Sequence, residues 1–353
     1  MKKFAVFSGF LGSGKTTTMM ALTAFRQENA GPIAMISNDL GHGVNLADHR
    51  LAQLNGCRAD EMTEDCICYR NEDLADRLNA FYAEGCELVI SDIPGFGVGA
   101  LEHVYHGLTE KFPGSFELAP FTVLTEPATV ALLRAGEGGD LTYIYETQLA
   151  EADLIVLNKC DLLDEEERQT AMRWLREQQP QAKVLAVSAR TGEGIPELAE
   201  ALRQGKASMR RPEIGYGGAD FQKAMGKISE YYLQARATVC CDTFDGTAWL
   251  TELAKQVQET VRQDGCDVPH LKLLAWEPEG DYGKVDLLGI GRPPVVTRPF
   301  ERPCTDVALI LNASAVCPSA RLQARMAEIL DRVSKAYQLE LQLFKTECFG
   351  MLD

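Results

Sequence analysis

The chain is short of basic residues, of long apolar runs and of any cysteine framework, and each shortage closes off a class of function. Lysine and arginine number 35 against 51 aspartates and glutamates, a formal charge of −16. Nucleic acids and anionic membranes reward cationic faces, so neither is expected as a partner. No window stays apolar for long enough to span a bilayer. The opening Met1-Lys2-Lys3 before Phe4-Ala5-Val6-Phe7 imitates a secretory leader, but a phosphate-loop pattern begins inside the apolar segment. Cleavage there would destroy that loop, so no leader is expected. Eleven cysteines, an odd number without regular spacing, read as reduced thiols in the cytoplasm. Most read as packing residues, such as Cys86 ahead of a strand and Cys240-Cys241 within one.

What is present is an ordinary soluble composition, 46% apolar and 24% charged, over 353 residues, a length that predicts two domains. The organising stretch is Gly9-Phe10-Leu11-Gly12-Ser13-Gly14-Lys15-Thr16-Thr17, a glycine, four free positions, then Gly-Lys-Thr. Such a loop wraps backbone N–H groups around phosphates, with Gly12 and Gly14 supplying conformations that a Cβ forbids. Lys15 is expected on the outer phosphates and Thr16 on Mg²⁺, with the following helix pointing its positive end at the anion. An apolar run before the loop and a helical pattern from Thr17 after it supply the expected strand–loop–helix context.

Further strands deliver polar loops to the same edge. The run 32–37 ends at Asn38-Asp39-Leu40-Gly41-His42-Gly43, where Asp39 is placed to reach Mg²⁺ or its waters. Cys66-Ile67-Cys68 follows in an acidic stretch; its thiolates can both reach one borderline metal, and Cys57, His42 or Asp39 could complete the set. The run 87–91 ends at Asp92-Ile93-Pro94-Gly95, where Asp92 would hold Mg²⁺ through water and the Gly95 N–H would sense the γ-phosphate. Phe96 stands where many GTPases carry a water-orienting glutamine, which predicts slow intrinsic hydrolysis completed by a partner or by dimerisation. The run 153–157 ends at Asn158-Lys159-Cys160-Asp161. A carboxylate at Asp161 can accept from guanine N1–H and the 2-amino group, Lys159 would lie along the base, and Asn158 would tie loops together. Finally, the run 183–187 leads to Ser188-Ala189-Arg190, with a backbone N–H near Ala189 for guanine O6. The order of these loops predicts a GTP-binding, doubly wound, mostly parallel α/β domain.

The wording of Gly9 to Thr17, Asn38-Asp39-Leu40-Gly41, Cys66-Ile67-Cys68-Tyr69 and Asn158-Lys159-Cys160-Asp161 resembles the CobW-like GTPases, grouped with HypB and UreG as metal-handling chaperones. The resemblance covers roughly the first 200 residues, the length of one domain. It implies a GTP hydrolase using Mg²⁺, and a Cys-x-Cys-Cys motif whose thiolates bind Zn²⁺, Co²⁺ or Ni²⁺ beside the nucleotide. By that likeness Cys66 and Cys68 match the first two cysteines, while Tyr69 stands at the third. A phenol with a pKa near ~10 is a weak ligand at neutral pH; either Cys57 substitutes or metal affinity is reduced or lost. Asp39 and Asp92 keep carboxylates where relatives often carry glutamate. Only five scattered histidines exclude the histidine-rich storage loops of many relatives.

The chain is expected to divide into a GTPase domain over 1–204, a linker over 205–226 containing Pro212, and an α+β domain over 227–353 with a βαβββαβ or βαββαβ order of ferredoxin-like type. The functional expectation is a GTPase that delivers a metal or metallocofactor to a client metalloprotein or cofactor-dependent enzyme, with Zn²⁺ or Co²⁺ at the Cys66-Cys68 loop. The alternative is a metal-independent GTPase switch that activates a client such as a corrinoid enzyme. A small-molecule kinase is disfavoured, since it does not need the guanine signature.

Overall fold

In the computed structural model the described residues are 2–25, 31–41, 47–239, 242–278, 280–289 and 291–352; His42, Gly43, Cys240 and Cys241 lie outside them. The chain forms two compact units, Met1–Leu40 with Asn55–Phe221, and Gly41–Leu54 with Gln222–Asp353.

The first unit is a parallel sheet flanked by helices. Its strands are β1 (Lys3–Ser8), β2 (Ile33–Asn38), β3 (Ala59–Met62), β4 (Leu88–Asp92), β5 (Glu117–Leu118), β6 (Thr122–Thr125), β7 (Leu154–Leu157) and β8 (Lys183–Ala186). They run in the order β3-β2-β4-β1-β6-β7-β8 with β5 beside β1, and every pairing is parallel. Strands β1, β2 and β4 are buried at every residue, which is why they read as unbroken apolar runs rather than alternating ones. Because all strands point the same way, the loops after β1, β2, β4, β7 and β8 leave from one edge. Residues 205–221 belong to this unit: the Tyr216 hydroxyl donates to Val98 O at 3.0 Å and the Ser208 N–H to Asp153 Oδ2 at 3.2 Å.

The second unit is an antiparallel sheet of β9 (Ile228–Val239), β10 (Asp267–Trp276), β11 (Tyr282–Leu288), β12 (Val295–Arg298), β13 (Asp306–Val316) and β14 (Leu339–Gly350), ordered β12-β11-β10-β13-β9-β14. Along the chain the order is β9-helix-β10-β11-β12-β13-helix-β14, one strand more than the expected βαβββαβ, and the βαββαβ alternative fails because β11 is a strand. Strand β12 was not visible in the sequence: it is an edge, Val295 and Val296 stay exposed, and no alternation marks it. Helices Gly246–Gln263 and Ser319–Ala336 cover one face through Trp249, Leu253, Val257, Met326 and Ile329.

The other face carries helix Ala47–Leu54, from the segment inserted between β2 and β3. Ala47 packs on Leu274 and Ile310, with Leu51 and Leu54 alongside. The Lys272 ammonium meets Asp48 Oδ2 at 2.5 Å, and the Arg50 guanidinium sits 4.9 Å from the Trp276 ring centre. No helix among the described residues is long and apolar enough to cross a membrane.

Candidate functional site

The loop after β1 enters helix Lys15–Ala24 through Gly14, held at φ 90°. A Cβ there would lie 2.2 Å from Asn158 Nδ2, so the residue must be glycine for conformation and for space. Lys15 Nζ donates to Gly9 O at 2.7 Å. Gly12 is buried, Thr16 half-buried and Thr17 exposed in this turn. Ser13 Oγ is buried with no hydrogen-bond partner among the described residues, an orphaned hydroxyl in a loop shaped to take phosphate oxygens.

Asn158, 2% exposed, joins this loop to the next. Its Nδ2 donates to Ser13 O at 2.8 Å, and its Oδ1 accepts from the Ala189 N–H at 3.1 Å. Asp161 Oδ1 accepts from the Ser188 hydroxyl at 2.6 Å and Oδ2 from Arg190 at 2.5 Å. Burial pushes the Asp161 pKa up, but Ser188 and Arg190 outweigh it and hold the carboxyl below its ordinary range, favouring the charged form. Lys159 is in the left-handed region at φ 59° and pairs with Glu126 Oε2 at 2.6 Å.

On the other side of β1, Asp92 is buried, and its Oδ1 accepts from the Asn38 N–H at 2.9 Å. Asp39 is half-buried, and its Oδ1 accepts from the Leu40 N–H at 2.8 Å. A Cβ on Gly95 would stand 2.9 Å from the Leu11 nitrogen, so the turn after β4 abuts the phosphate-loop backbone. The segment beyond it is held from helix Thr142–Glu151. Gln148 Nε2 donates to Gly95 O at 3.0 Å and Gly97 O at 2.9 Å, and Glu151 accepts from the Gly99 and Leu101 N–H groups at 2.9 Å each. Burial raises the Glu151 pKa to about 7.

The Cys66 and Cys68 sulfurs lie 2.8 Å apart and share a hydrogen bond. That bond, and then burial, push the Cys68 thiol well up. Tyr69 is 66% exposed with its phenol pushed up by burial and the neighbouring thiols. Cys57 is not gathered with them. Its sulfur accepts from Thr23 Oγ1 at 3.2 Å, and no three His, Cys, Asp or Glu side chains cluster as a metal set among the described residues. His42, the other candidate third ligand, falls outside those residues.

The family model for the CobW/HypB/UreG nucleotide-binding domain matches residues 3–186. The chain belongs to the CobW/HypB/UreG family. Hydrogenase maturation factor HypB of Azotobacter chroococcum mcd 1 is 30% identical over 205 residues, 56% of this chain and 59% of that protein. Zinc chaperone YeiR of Escherichia coli K12 is 28% identical over 182 residues, 49% of this chain and 51% of its own. The chain thus spans about half the length of these curated relatives. Among solved structures, HypB from Helicobacter pylori in complex with nickel covers 56% of this chain and 83% of that one at 16% identity and TM-score 0.40. Zn(II)-bound YjiA GTPase from E. coli covers 93% and 98% at 14% identity and TM-score 0.37.

The structure brings together Ser13, Gly14, Asn158, Ala189, Ser188, Asp161 and Arg190, the three at 188–190 lying just beyond the family match, and separately Asp92 with the end of β2. Three contributors escaped sequence reasoning: Glu126, Gln148 and Glu151. Their signal was faint. Gln148 and Glu151 are polar residues three apart on a helix whose buried side also carries Ile144, Tyr145 and Leu149, and a polar pair on a buried face demands partners.

Proposed function

We propose that this chain binds and hydrolyses GTP with Mg²⁺ and couples that cycle to delivery of a metal or metallocofactor to a client metalloprotein. The observation that carries the reading is the Asn158 amide, which links the phosphate loop through Ser13 O to the base-side loop through Ala189 N. One side chain thereby fixes the spacing between triphosphate and base. Asp161 and Lys159 select guanine, while the Ala189 N–H expected on guanine O6 is given to Asn158 Oδ1 instead; Gly12 to Thr17 hold phosphates; Thr16, Asp39 and Asp92 offer the hard oxygen donors that Mg²⁺ takes. Bound there, Mg²⁺ would neutralise charge growing on the phosphate oxygens. Lys15 adds a cation on the same side, and the Gly95 N–H reports the γ-phosphate to the segment clamped by Gln148 and Glu151. Phe96 is buried and cannot orient water, so the isolated monomer hydrolyses slowly and a partner or a nucleotide-dependent homodimer completes the site.

Cys66 and Cys68 are the cargo donors, with Zn²⁺ or Co²⁺ matching their sulfur chemistry; the zinc named for YeiR supports the same class. A second reading, a GTPase switch without metal, is favoured by one observation: a third ligand is missing among the described residues, and Tyr69 stands exposed where relatives carry cysteine. Titration of Co²⁺ into the full chain, with and without a GTP analogue, separates the two. The delivery reading expects thiolate-to-metal absorbance that disappears in the Cys66→Ala, Cys68→Ala variant; unchanged affinity in that variant leaves the switch. Asp161→Asn should shift preference from GTP towards xanthosine nucleotides, and unaltered GTP binding would remove the base assignment.

A further inference from the structure

Asn38 closes β2 with its side chain 5% exposed, and every hydrogen-bonding group of that side chain is used. Nδ2 donates to Met62 O at 3.1 Å and Asp65 O at 3.0 Å, while Oδ1 accepts from the Ile67 N–H at 3.1 Å. Ile67 is the residue between the two cysteines. The Asn38 main-chain N–H donates in the opposite direction, to Asp92 Oδ1 at 2.9 Å. One amide hydrogen and the carbonyl oxygen therefore grip the thiol turn, the other amide hydrogen holds the end of β3, and the backbone of the same residue grips the carboxylate at the end of β4.

The turn is otherwise held by packing, with Ile67 and Cys68 buried in the core of the first unit and the Tyr69 ring 5.7 Å from that of His103. Its remaining hydrogen bonds are local: Cys66 N to Asp65 Oδ1 at 2.7 Å, Tyr69 N to Cys66 O at 3.0 Å, Arg70 N to Ile67 O at 3.2 Å and Arg70 Nη1 to Thr63 O at 2.6 Å. Among the described residues, the hydrogen bonds of 63–69 that reach outside 63–73 end on Asn38. A buried amide with all its groups engaged cannot turn without leaving partners unmet, which costs far more than moving its partners with it. Displacement of Asp92 against β2 is thus passed to the Ile67 backbone and to the sulfurs on either side of it.

We propose that Asn38 is the positioning residue that makes the exposure and reactivity of the Cys66–Cys68 pair depend on what Asp92 engages. This rests on the reading that Asp92 faces a magnesium nucleotide, and it is independent of whether the thiols carry a metal. The GTP-bound and free states then present different sulfur geometries, and Asn38 sets the difference.

The test is alkylation of the full chain by iodoacetamide in Mg²⁺, with and without a non-hydrolysable GTP analogue, read at Cys66 and Cys68 by peptide mass spectrometry. Nucleotide affinity is measured in parallel. In the natural chain the analogue should change the alkylation rate about fivefold or more, the lower range of ordinary site-to-site coupling. Asn38→Ala keeps the main-chain N–H to Asp92 and should retain nucleotide binding, but alkylate at one rate in both states. Asn38→Asp keeps an acceptor for the Ile67 N–H and should restore part of the response. Exchange of the Ile67 amide in the natural chain gives a readout that needs no variant: nucleotide should alter its protection. Nucleotide that binds while thiol rates and Ile67 exchange stay the same overturns the proposal, as does an Asn38→Ala variant with the full response. Absence of nucleotide binding by the natural chain would instead remove the functional reading on which it rests.

Discussion

Replacing Asn158 with alanine tests the bridge on which the nucleotide reading depends. The side chain is 2% exposed and makes bonds of 2.8 Å to Ser13 O and 3.1 Å from the Ala189 N–H. Alanine leaves both backbone groups without their partner, at about 1–3 kcal/mol each, so a total near 3 kcal/mol is expected. Urea unfolding should show this as a lower midpoint with an unchanged slope. GTP affinity should fall as well, since the spacing between loops is no longer fixed. A double-mutant cycle sharpens the argument. In Gly14→Ala the new Cβ would meet Asn158 Nδ2 at 2.2 Å, and the backbone would be held at φ 90°. Once Asn158 is alanine the collision disappears and only backbone strain of about 1–3 kcal/mol remains. Gly14→Ala should therefore cost less in the Asn158→Ala background, with a coupling of about 1 kcal/mol or more. Additive effects would show that the amide does not press on Gly14, and the account of the loop junction would be wrong.

Lys159→Met strands the Glu126 carboxylate, 4% exposed, and should cost about 3 kcal/mol or more in urea unfolding, while adding Glu126→Leu recovers part of it; equal losses in single and double variants would refute a buried pair. Glu151 carries a pH signature. Its pKa rises from 4.5 to about 7 on folding through burial, so the native state keeps the proton longer than the unfolded chain. The resulting stability is full below 4.5 and is lost as pH climbs through 7, by about 3 kcal/mol at most. The difference in unfolding free energy between the natural chain and Glu151→Gln should fall over that window; parallel pH profiles would sink the assignment. Cys57→Ser should leave Co²⁺ affinity at Cys66–Cys68 unchanged, because the Cys57 sulfur is engaged with Thr23; a weaker thiolate absorbance would place it in the set after all.

The first unit was legible because a parallel sheet buried on both faces writes its strands as apolar runs and its loops as polar interruptions. Helix Glu165–Gln178 opens on a reciprocal cap between Asp164 and Glu167. The family resemblance, carried by loop wording, agreed with the domain match. Contacts between residues far apart in the chain were not legible. Nothing near Glu126 announces Lys159, and nothing near Gln148 announces the carbonyls of Gly95 and Gly97. The sequence left Cys57 as one of several candidates to join the other thiols, and nothing near it announces that its sulfur meets Thr23 on the first helix. The placement of helix Ala47–Leu54 was equally hidden: its helical pattern is unremarkable, and its partners on β10 and β13 lie more than two hundred positions later.

That placement bears on how the protein is made. The Asp48–Lys272 pair spans 224 positions, and closing so long a loop adds little to the equilibrium cost but much to the waiting time. As the chain leaves the ribosome, β2 and β3 are available early, while the sheet that covers the helix between them is among the last parts synthesised. The nascent nucleotide unit must therefore carry Leu51 and Leu54 uncovered until β10 and β13 arrive, an interval of tens of seconds at ordinary elongation rates.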